Sequence, residues 1–246
     1  MDQPGYILLS RLAAQLRATE VLATNMANAD TPGFRAARPV FAEHLERQRD
    51  VVRFPGSRDV TYALDRATWR DTTPGSLSRT GNPLDVAIQG EGFFVLETPR
   101  GERYSRAGRF SLGPEGRLSD TEGNAVLGQA GTPITIGVND TRIEILGDGT
   151  IRSENGVIGR LRVVRFDDPQ RLQAEGDRLF SGTEAPQEVA RPALVQGAME
   201  GSNVRPVMEL TRLTGQLREF QFAANFTERE ADRRRDAVER ILRHRS

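Results

Sequence analysis

Each end of this 246-residue chain carries an apolar stripe at helical spacing that is too narrow to close a core by itself. Near the C-terminus, Leu213, Leu217, Phe220, Ala224, Thr227, Ala231, Arg234, Val238 and Ile241 step alternately by four and three. That is the heptad seam of a coiled coil, and Arg234 breaks it. Near the N-terminus, Leu9, Leu12, Leu16, Thr19, Ala23 and Met26 alternate in the same way. No proline follows Pro206, so about 40 residues are free to run as one helix on the order of 60 Å long. The two ends are expected to be partners.

Glycine divides what lies between them. Sixteen of the 24 glycines fall between Gly75 and Gly159, whereas the last 44 residues contain only Gly215. The middle reads as short strands broken by turns at about ten-residue spacing, the pattern of a β sandwich or barrel. Strands are predicted at 93–96, 103–106, 109–112, 125–127, 134–136, 142–146 and 158–166. Pro99-Arg100-Gly101, Pro114-Glu115-Gly116, Glu122-Gly123-Asn124 and Gly147-Asp148-Gly149 supply the turns. The alternation slips at Val163-Val164, which points to a bulge or to a strand covered on both faces. Between 36 and 75 an extended, loop-rich connector is expected, with a short helix ending near Phe41 and Leu45. Residues 76–202 form the expected β domain with an extended return segment, and 1–35 with 203–246 form one split helical domain. The fold class expected is therefore α+β: paired, coiled-coil-like terminal helices flanking a central all-β domain.

Composition narrows the chemistry. Thirty-four acidic and 34 basic residues cancel, every basic one being Arg, so the whole-molecule field does not call for a polyanionic partner. In the last helix Glu230–Arg234, Asp236–Arg240 and Glu239–Arg243 stand four apart, acid first, so its charges largely answer one another; no nucleic-acid partner is expected. Without Cys there is no disulfide, thiolate metal site or thiol nucleophile. His44 and His244 fit no metal-ligand spacing, Gly90-Glu91-Gly92 lacks the third glycine and the βα context of a dinucleotide loop, and no Gly-x-Ser-x-Gly occurs. No catalytic residue, cofactor or metal site is expected. Residues 1–9 lack a basic region and a full apolar segment, and no stretch reaches the roughly 18 to 20 apolar residues of a membrane span. A soluble chain is expected, cytoplasmic or exported without a cleaved signal and without direct membrane insertion.

Three segments carry more than composition. The run 23–36, Ala-Thr-Asn-Met-Ala-Asn-Ala-Asp-Thr-Pro-Gly-Phe-Arg-Ala, reads physically as a helix end stopped by Pro32-Gly33. The run 81–95, Gly-Asn-Pro-Leu-Asp-Val-Ala-Ile-Gln-Gly-Glu-Gly-Phe-Phe-Val, leads into the β region. Glu200-Gly201-Ser202-Asn203-Val204 precedes the last helix, with Ser202 or Asn203 a suitable N-cap. In this order the three closely resemble the signatures of bacterial flagellar rod and hook axial proteins and tie the resemblance to nearly the whole chain. The length, the Thr-Pro-Gly-Phe-Arg-Ala turn and the Glu-Gly-Ser-Asn-Val box favour the proximal-rod branch over the longer distal-rod branch. The chain departs from the pattern at Arg229, Arg233, Arg234 and Arg235, where a mostly neutral helix is usual.

The resemblance implies a structural rod subunit that polymerises helically, transmits torque and extends the export channel. Leu9, Leu12, Leu16, Met26, Leu213, Leu217, Phe220, Ala224, Val238 and Ile241 would form the helical assembly interface. Asn25, Asn28, Thr31, Gly33 and Phe34 would form the turn, and Gly81, Asn82, Leu84, Asp85, Gly90, Gly92, Phe93 and Phe94 the lead into the β domain. The implied partners are proximal and distal rod subunits, further copies of the chain and the flagellar type III export apparatus, and the implied location is the periplasmic rod of the basal body. Three other readings stand beside it: a distal-rod subunit of the same family, a ligand-binding β module with a helical oligomerisation stalk, and a hydrolase with an unrecognised site.

Overall fold

The computed structural model describes residues 3–46, 60–176 and 178–243. The chain divides into two compact units, one gathering residues 1–27, 37–69 and 205–246, the other 28–36 and 70–204.

The first unit contains α1 (Gln3–Ala27), β1 (Ala37–Glu46), β2 (Val60–Arg70) as far as Trp69, and α2 (Pro206–Arg243). Both helices keep proline to their first turn, where the missing N–H costs no helical bond. With 38 residues α2 is about 57 Å long. β1 and β2 form a two-stranded sheet. The short helix expected near Phe41 and Leu45 is therefore strand: Val40, Phe41 and Leu45 fit neither period cleanly, and pairing with β2, remote in sequence, decides the outcome.

The pairing faces also differ from the predicted stripes. On α1 the buried residues are Ala14, Ala18, Val21, Leu22 and Asn25. They repeat at the same four-three spacing two positions on, which at 100° per residue is nearly the opposite side of the helix from Leu12, Leu16 and Ala23. Leu16 is 65% exposed, Ala23 is exposed, and Leu12, Thr19 and Met26 are half-buried. On α2 Glu209 and Ala223 are buried and Leu213 and Gln216 half-buried, while Leu217, Phe220 and Ala224 are exposed. Thr19 Oγ1 donates to Gln216 Oε1 at 3.4 Å across the two helices. Small side chains permit close backbone approach, and spacing alone does not tell the small-residue stripe from the leucine stripe. The side chains of Leu9, Arg234, Val238 and Ile241 lie outside those described, as do those of the predicted Glu230, Arg240, Glu239 and Arg243 ion pairs.

The second unit, hereafter the β unit, is antiparallel throughout its pairings. Its strands are β3 (Leu77–Arg79), β4 (Val86–Ile88), β5 (Phe93–Thr98), β6 (Gly101–Ser105), β7 (Ser111–Leu112), β8 (Leu118–Ser119), β9 (Ala125–Val126), β10 (Glu144–Ile145), β11 (Thr150–Ser153), β12 (Gly156–Arg160), β13 (Val163–Arg165), β14 (Gln173–Ala174), β15 (Leu179–Ser181), β16 (Gln187–Glu188), β17 (Leu194–Gln196) and β18 (Ala198–Glu200). The largest sheet runs β14-β15-β6-β5-β9-β8-β7, with β13 beside β5 and β16 beside β13; β10-β11-β12, β17-β4 and β18-β3 are separate.

β5 is the central element because both its faces are covered. Phe94 and Leu96 enter one apolar cluster with Val86, Leu118, Ile151 and Val163, while Val95 enters another with Tyr104, Val164, Phe166 and Phe180. Val163 and Val164 go to different clusters, so a strand covered on both faces accounts for the slip in alternation there. The predicted strand over 158–166 is interrupted at Leu161-Arg162 between β12 and β13. Ile134 and Ile136 are buried, but the predicted strand 134–136 is reduced to isolated bridges, Thr135 to Arg117 and Pro133 to Leu127.

Candidate functional site

Two buried carboxylates, Glu200 and Glu209, organise the segments that the sequence motifs mark. Glu209 lies in the first turn of α2, where the helix dipole favours an anion. Its carboxylate accepts from Arg38 Nη1 at 3.2 Å, from Arg212 Nη1 at 2.6 Å and from Asn25 Nδ2 at 3.4 Å. Asn25, fully buried, reads the backbone of Ala37 in both directions: Nδ2 donates to the carbonyl at 2.9 Å and Oδ1 accepts from the amide at 2.9 Å. One asparagine therefore joins α1, the start of β1 and α2. Alanine in its place would leave two backbone groups of β1 without their partner.

The rest of the turn motif belongs to the β unit. Thr31 Oγ1 donates to Asn28 Oδ1 at 3.1 Å, and the amides of Thr31 and Phe34 close successive turns on Asn28 and Thr31. Gly33 has φ +72° and its amide donates to the Glu200 carbonyl at 2.8 Å; a Cβ here would lie 2.7 Å from the Ala107 nitrogen. Only glycine satisfies both the left-handed backbone and that approach.

Glu200 is 3% exposed, as is Arg106, and the two meet at 2.5 Å through Nε and Oε2. Arg106 also donates to the carbonyls of Gly92 at 2.6 Å, Ile88 at 2.9 Å and Gly90, so the turn of the β lead-in wraps a single guanidinium. The other carboxylate oxygen of Glu200 takes Arg35 Nη2 at 2.7 Å and the Gly75 amide at 2.9 Å. Burial pushes the Arg35 guanidinium below its ordinary value; Glu200 opposes this and the neighbouring Arg106 adds to it.

Asn203 does not cap α2, which starts at Pro206, one residue after Arg205 accepts from the amides of Met208 and Glu209. Instead Asn203 Oδ1 accepts from the Ala36 amide at 2.7 Å, and Nδ2 donates to the carbonyls of Asp71 and Thr73, each at 2.9 Å. Ser202 Oγ accepts locally from the Val204 amide.

The remaining lead-in residues serve the β core. Asn82 Nδ2 donates to Asp85 Oδ1 at 3.0 Å while Asn82 Oδ1 accepts from the Leu84 amide. Asp85 is buried, and its carbonyl takes the Gly197 amide, whose own carbonyl receives Gly81. Gly92 has φ +137°, and Phe93 packs edge-on against Phe166 and Phe180 while Phe94 does so against Phe110. Arg35 closes the Thr-Pro-Gly-Phe-Arg-Ala motif, whereas Arg106 and Arg38 carry no sequence signal beyond a charge set among small or apolar neighbours.

Several large apolar side chains of α2 are exposed. Val207, Leu210, Leu217, Phe220, Phe222 and Phe226 are all exposed, Phe222 to 73%. At 100° per residue Leu210 and Leu217 flank one side of the buried face, and Phe222 and Phe226 the other. Among the described residues no group of His, Asp and Glu is placed to hold a metal, and no helix is long and apolar enough to cross a membrane. His44 falls on β1, and His244 lies outside the described residues.

Known proteins align with these features. A family described as flagella basal body rod protein matches residues 6–35, and one described as flagellar hook protein FlgE/F/G D1 domain matches residues 87–153. The chain is 35% identical to the flagellar basal-body rod protein FlgF of Caulobacter vibrioides, over 98% of both chains. It is also 35% identical to FlgF of Salmonella typhimurium, over 90% of this chain and 91% of that one. The rod protein FlgG of Agrobacterium fabrum is 32% identical over 87% of this chain and 90% of its own. The likeness thus runs through the turn, the β lead-in and both helices, and the chain belongs to the flagellar basal-body rod protein family.

Proposed function

We propose that the chain is a structural subunit of the flagellar basal-body rod, of the FlgF-like proximal type, and that it polymerises helically through its terminal helices. The carrying observation is the double use of those helices: small and polar side chains face inward, while Leu16, Leu217, Phe220, Phe222 and Phe226 remain exposed. Exposed large apolar side chains on both flanks of the buried face support an interaction role, and burying each half-exposed Leu or Phe contributes on the order of 1 kcal/mol. In this reading α1 and α2 form a coiled-coil-like pair, and neighbouring subunits cover its outer flanks by heterologous contacts that continue into a helical array. The array transmits torque and extends the export channel. Its partners are copies of this chain, other rod subunits and the type III export apparatus. It sits in the periplasmic part of the basal body, is exported without cleavage, and requires no catalysis.

The test is incorporation. A full-length Leu217→Asp, Phe220→Asp variant changes only exposed positions, so monomer stability should stay within about 0.5 kcal/mol of the parent. Incorporation into isolated basal bodies should be lost. Normal incorporation of that variant would remove the helices from the interface. Export is tested by deleting residues 1–26, which should stop secretion; secretion at the parental level would place the export information elsewhere.

A further inference from the structure

We propose that the Glu200 cluster is a latch that keeps the Asn28–Ala36 segment seated in the β unit whether or not α1 and α2 are paired. This segment is flanked in sequence by α1 and β1, both of the first unit, yet it belongs to the compact β unit. The bonds described for Gly33, Arg35 and Ala36 are internal to that unit. The Gly33 amide reaches the Glu200 carbonyl, Arg35 reaches the Glu200 carboxylate, the Ala36 amide reaches Asn203, and the Ala36 carbonyl receives the Asp71 amide at 2.8 Å. Glu200 and Asn203 in turn bind Gly75, Asp71 and Thr73, so three passages of chain close on two side chains. Arg106 anchors the latch to the carbonyls of the β lead-in.

The second buried set, Asn25, Arg38, Glu209 and Arg212 with the backbone of Ala37, lies wholly in the first unit and shares no residue with the latch; the two meet only at the Ala36–Ala37 peptide group, whose carbonyl serves the latch and whose amide serves Asn25. Coupling between buried polar sets arises when opening one leaves groups of the other unsatisfied. Opening the Asn25–Glu209 set orphans no group of the latch. The helices can therefore change partners while the turn that precedes β1 stays closed. The use of this in rod growth rests on the rod-subunit reading; the latch itself does not.

Hydrogen exchange followed by mass spectrometry on full-length monomer tests it. In an Asn25→Ala, Glu209→Ala variant, exchange in α1 and α2 should rise about tenfold or more, while peptides covering 31–36 and 71–76 stay within about twofold of the parent. In Glu200→Gln those two peptides should exchange about tenfold faster or more. Because Glu200→Gln also disturbs Arg106, Arg35→Met gives the local version: 31–36 and 71–76 loosen while β5 keeps its protection. A rise at 31–36 that tracks the helices in the first variant, or unchanged 31–36 exchange in Arg35→Met, overturns the latch. The readout is made on monomer, so it stands apart from whether the chain enters a rod.

Discussion

In the β unit the largest apolar side chains are the deepest: Phe94, Ile88, Leu96, Leu118 and Ile151 are essentially without exposure, and β5 is covered on both faces. In the first unit small residues share the buried face, with Ala14, Ala18 and Ala223 buried beside Val21 and Leu22, while Leu16, Leu217, Phe222 and Phe226 face outward. Burial contributes in proportion to apolar area, so a helix face rich in alanine contributes less per residue than the Phe- and Leu-lined core of the β unit. The β unit buries its largest apolar side chains, whereas the first unit leaves several of its own exposed. The two buried carboxylates follow the same division. Glu200 has two arginines, two backbone amides and a two-faced core around it, while Glu209 sits with Asn25, Arg38 and Arg212 between helix ends and a strand.

Removing one partner of the better-buried pair should have the largest effect. Arg106→Ala removes one of the two arginines on the buried Glu200 and leaves three carbonyls without their donor, and should cost about 3 to 5 kcal/mol, read from exchange protection in β5 under increasing urea. A loss confined to α1 and α2 would reverse the comparison. Next, Gly33→Ala meets both a left-handed backbone and the Arg106-Ala107 chain, and should cost about 2 kcal/mol with faster exchange at 31–36. In the first unit Asn25→Ala should cost about 2 kcal/mol, seen as lower helix ellipticity on mild heating with the β unit's near-ultraviolet signal unchanged.

The smallest effect is with acid. Glu154 accepts from the Thr141 hydroxyl and from the amides of Thr141 and Arg142, which holds its carboxyl down at about 2 against an ordinary 4.5. Because the folded value is the lower one, the stabilisation is full above the ordinary carboxylate range and is lost as the pH falls through about 2. The Thr141 and Arg142 amides should therefore stay bonded at pH 4, then shift in NMR spectra as the pH approaches 2. A transition centred near 4.5 would show that the three bonds add nothing.

Much of this was legible in the residues. The long helix beginning after the Glu-Gly-Ser-Asn-Val box, the strand at Phe93, the turns at Gly101 and Gly149 and the double coverage at Val163-Val164 all follow from local chemistry, because proline, glycine and β-branched runs act on their own neighbours. The family motifs located both carboxylate clusters, naming Asn25, Gly33 and the Gly90–Gly92 turn. They did not say that Arg106 sits inside that turn or that Asn203 binds Ala36, since those bonds join residues 14 to 167 positions apart. The β1–β2 pairing was missed for a related reason: neither strand has a clean alternation, and only the other strand makes it one.

The sequence by itself determined that the two ends are helical and that a region of short strands broken by turns lies between them. Only the tertiary structure decided which stripe each helix turns inward. On α1, Leu12-Leu16-Ala23 and Ala14-Ala18-Val21-Asn25 have the same spacing, and periodicity cannot rank them. The choice went to the stripe whose small side chains allow close approach and whose asparagine finds the two backbone groups of Ala37, because a buried polar group must be satisfied while an exposed leucine costs little.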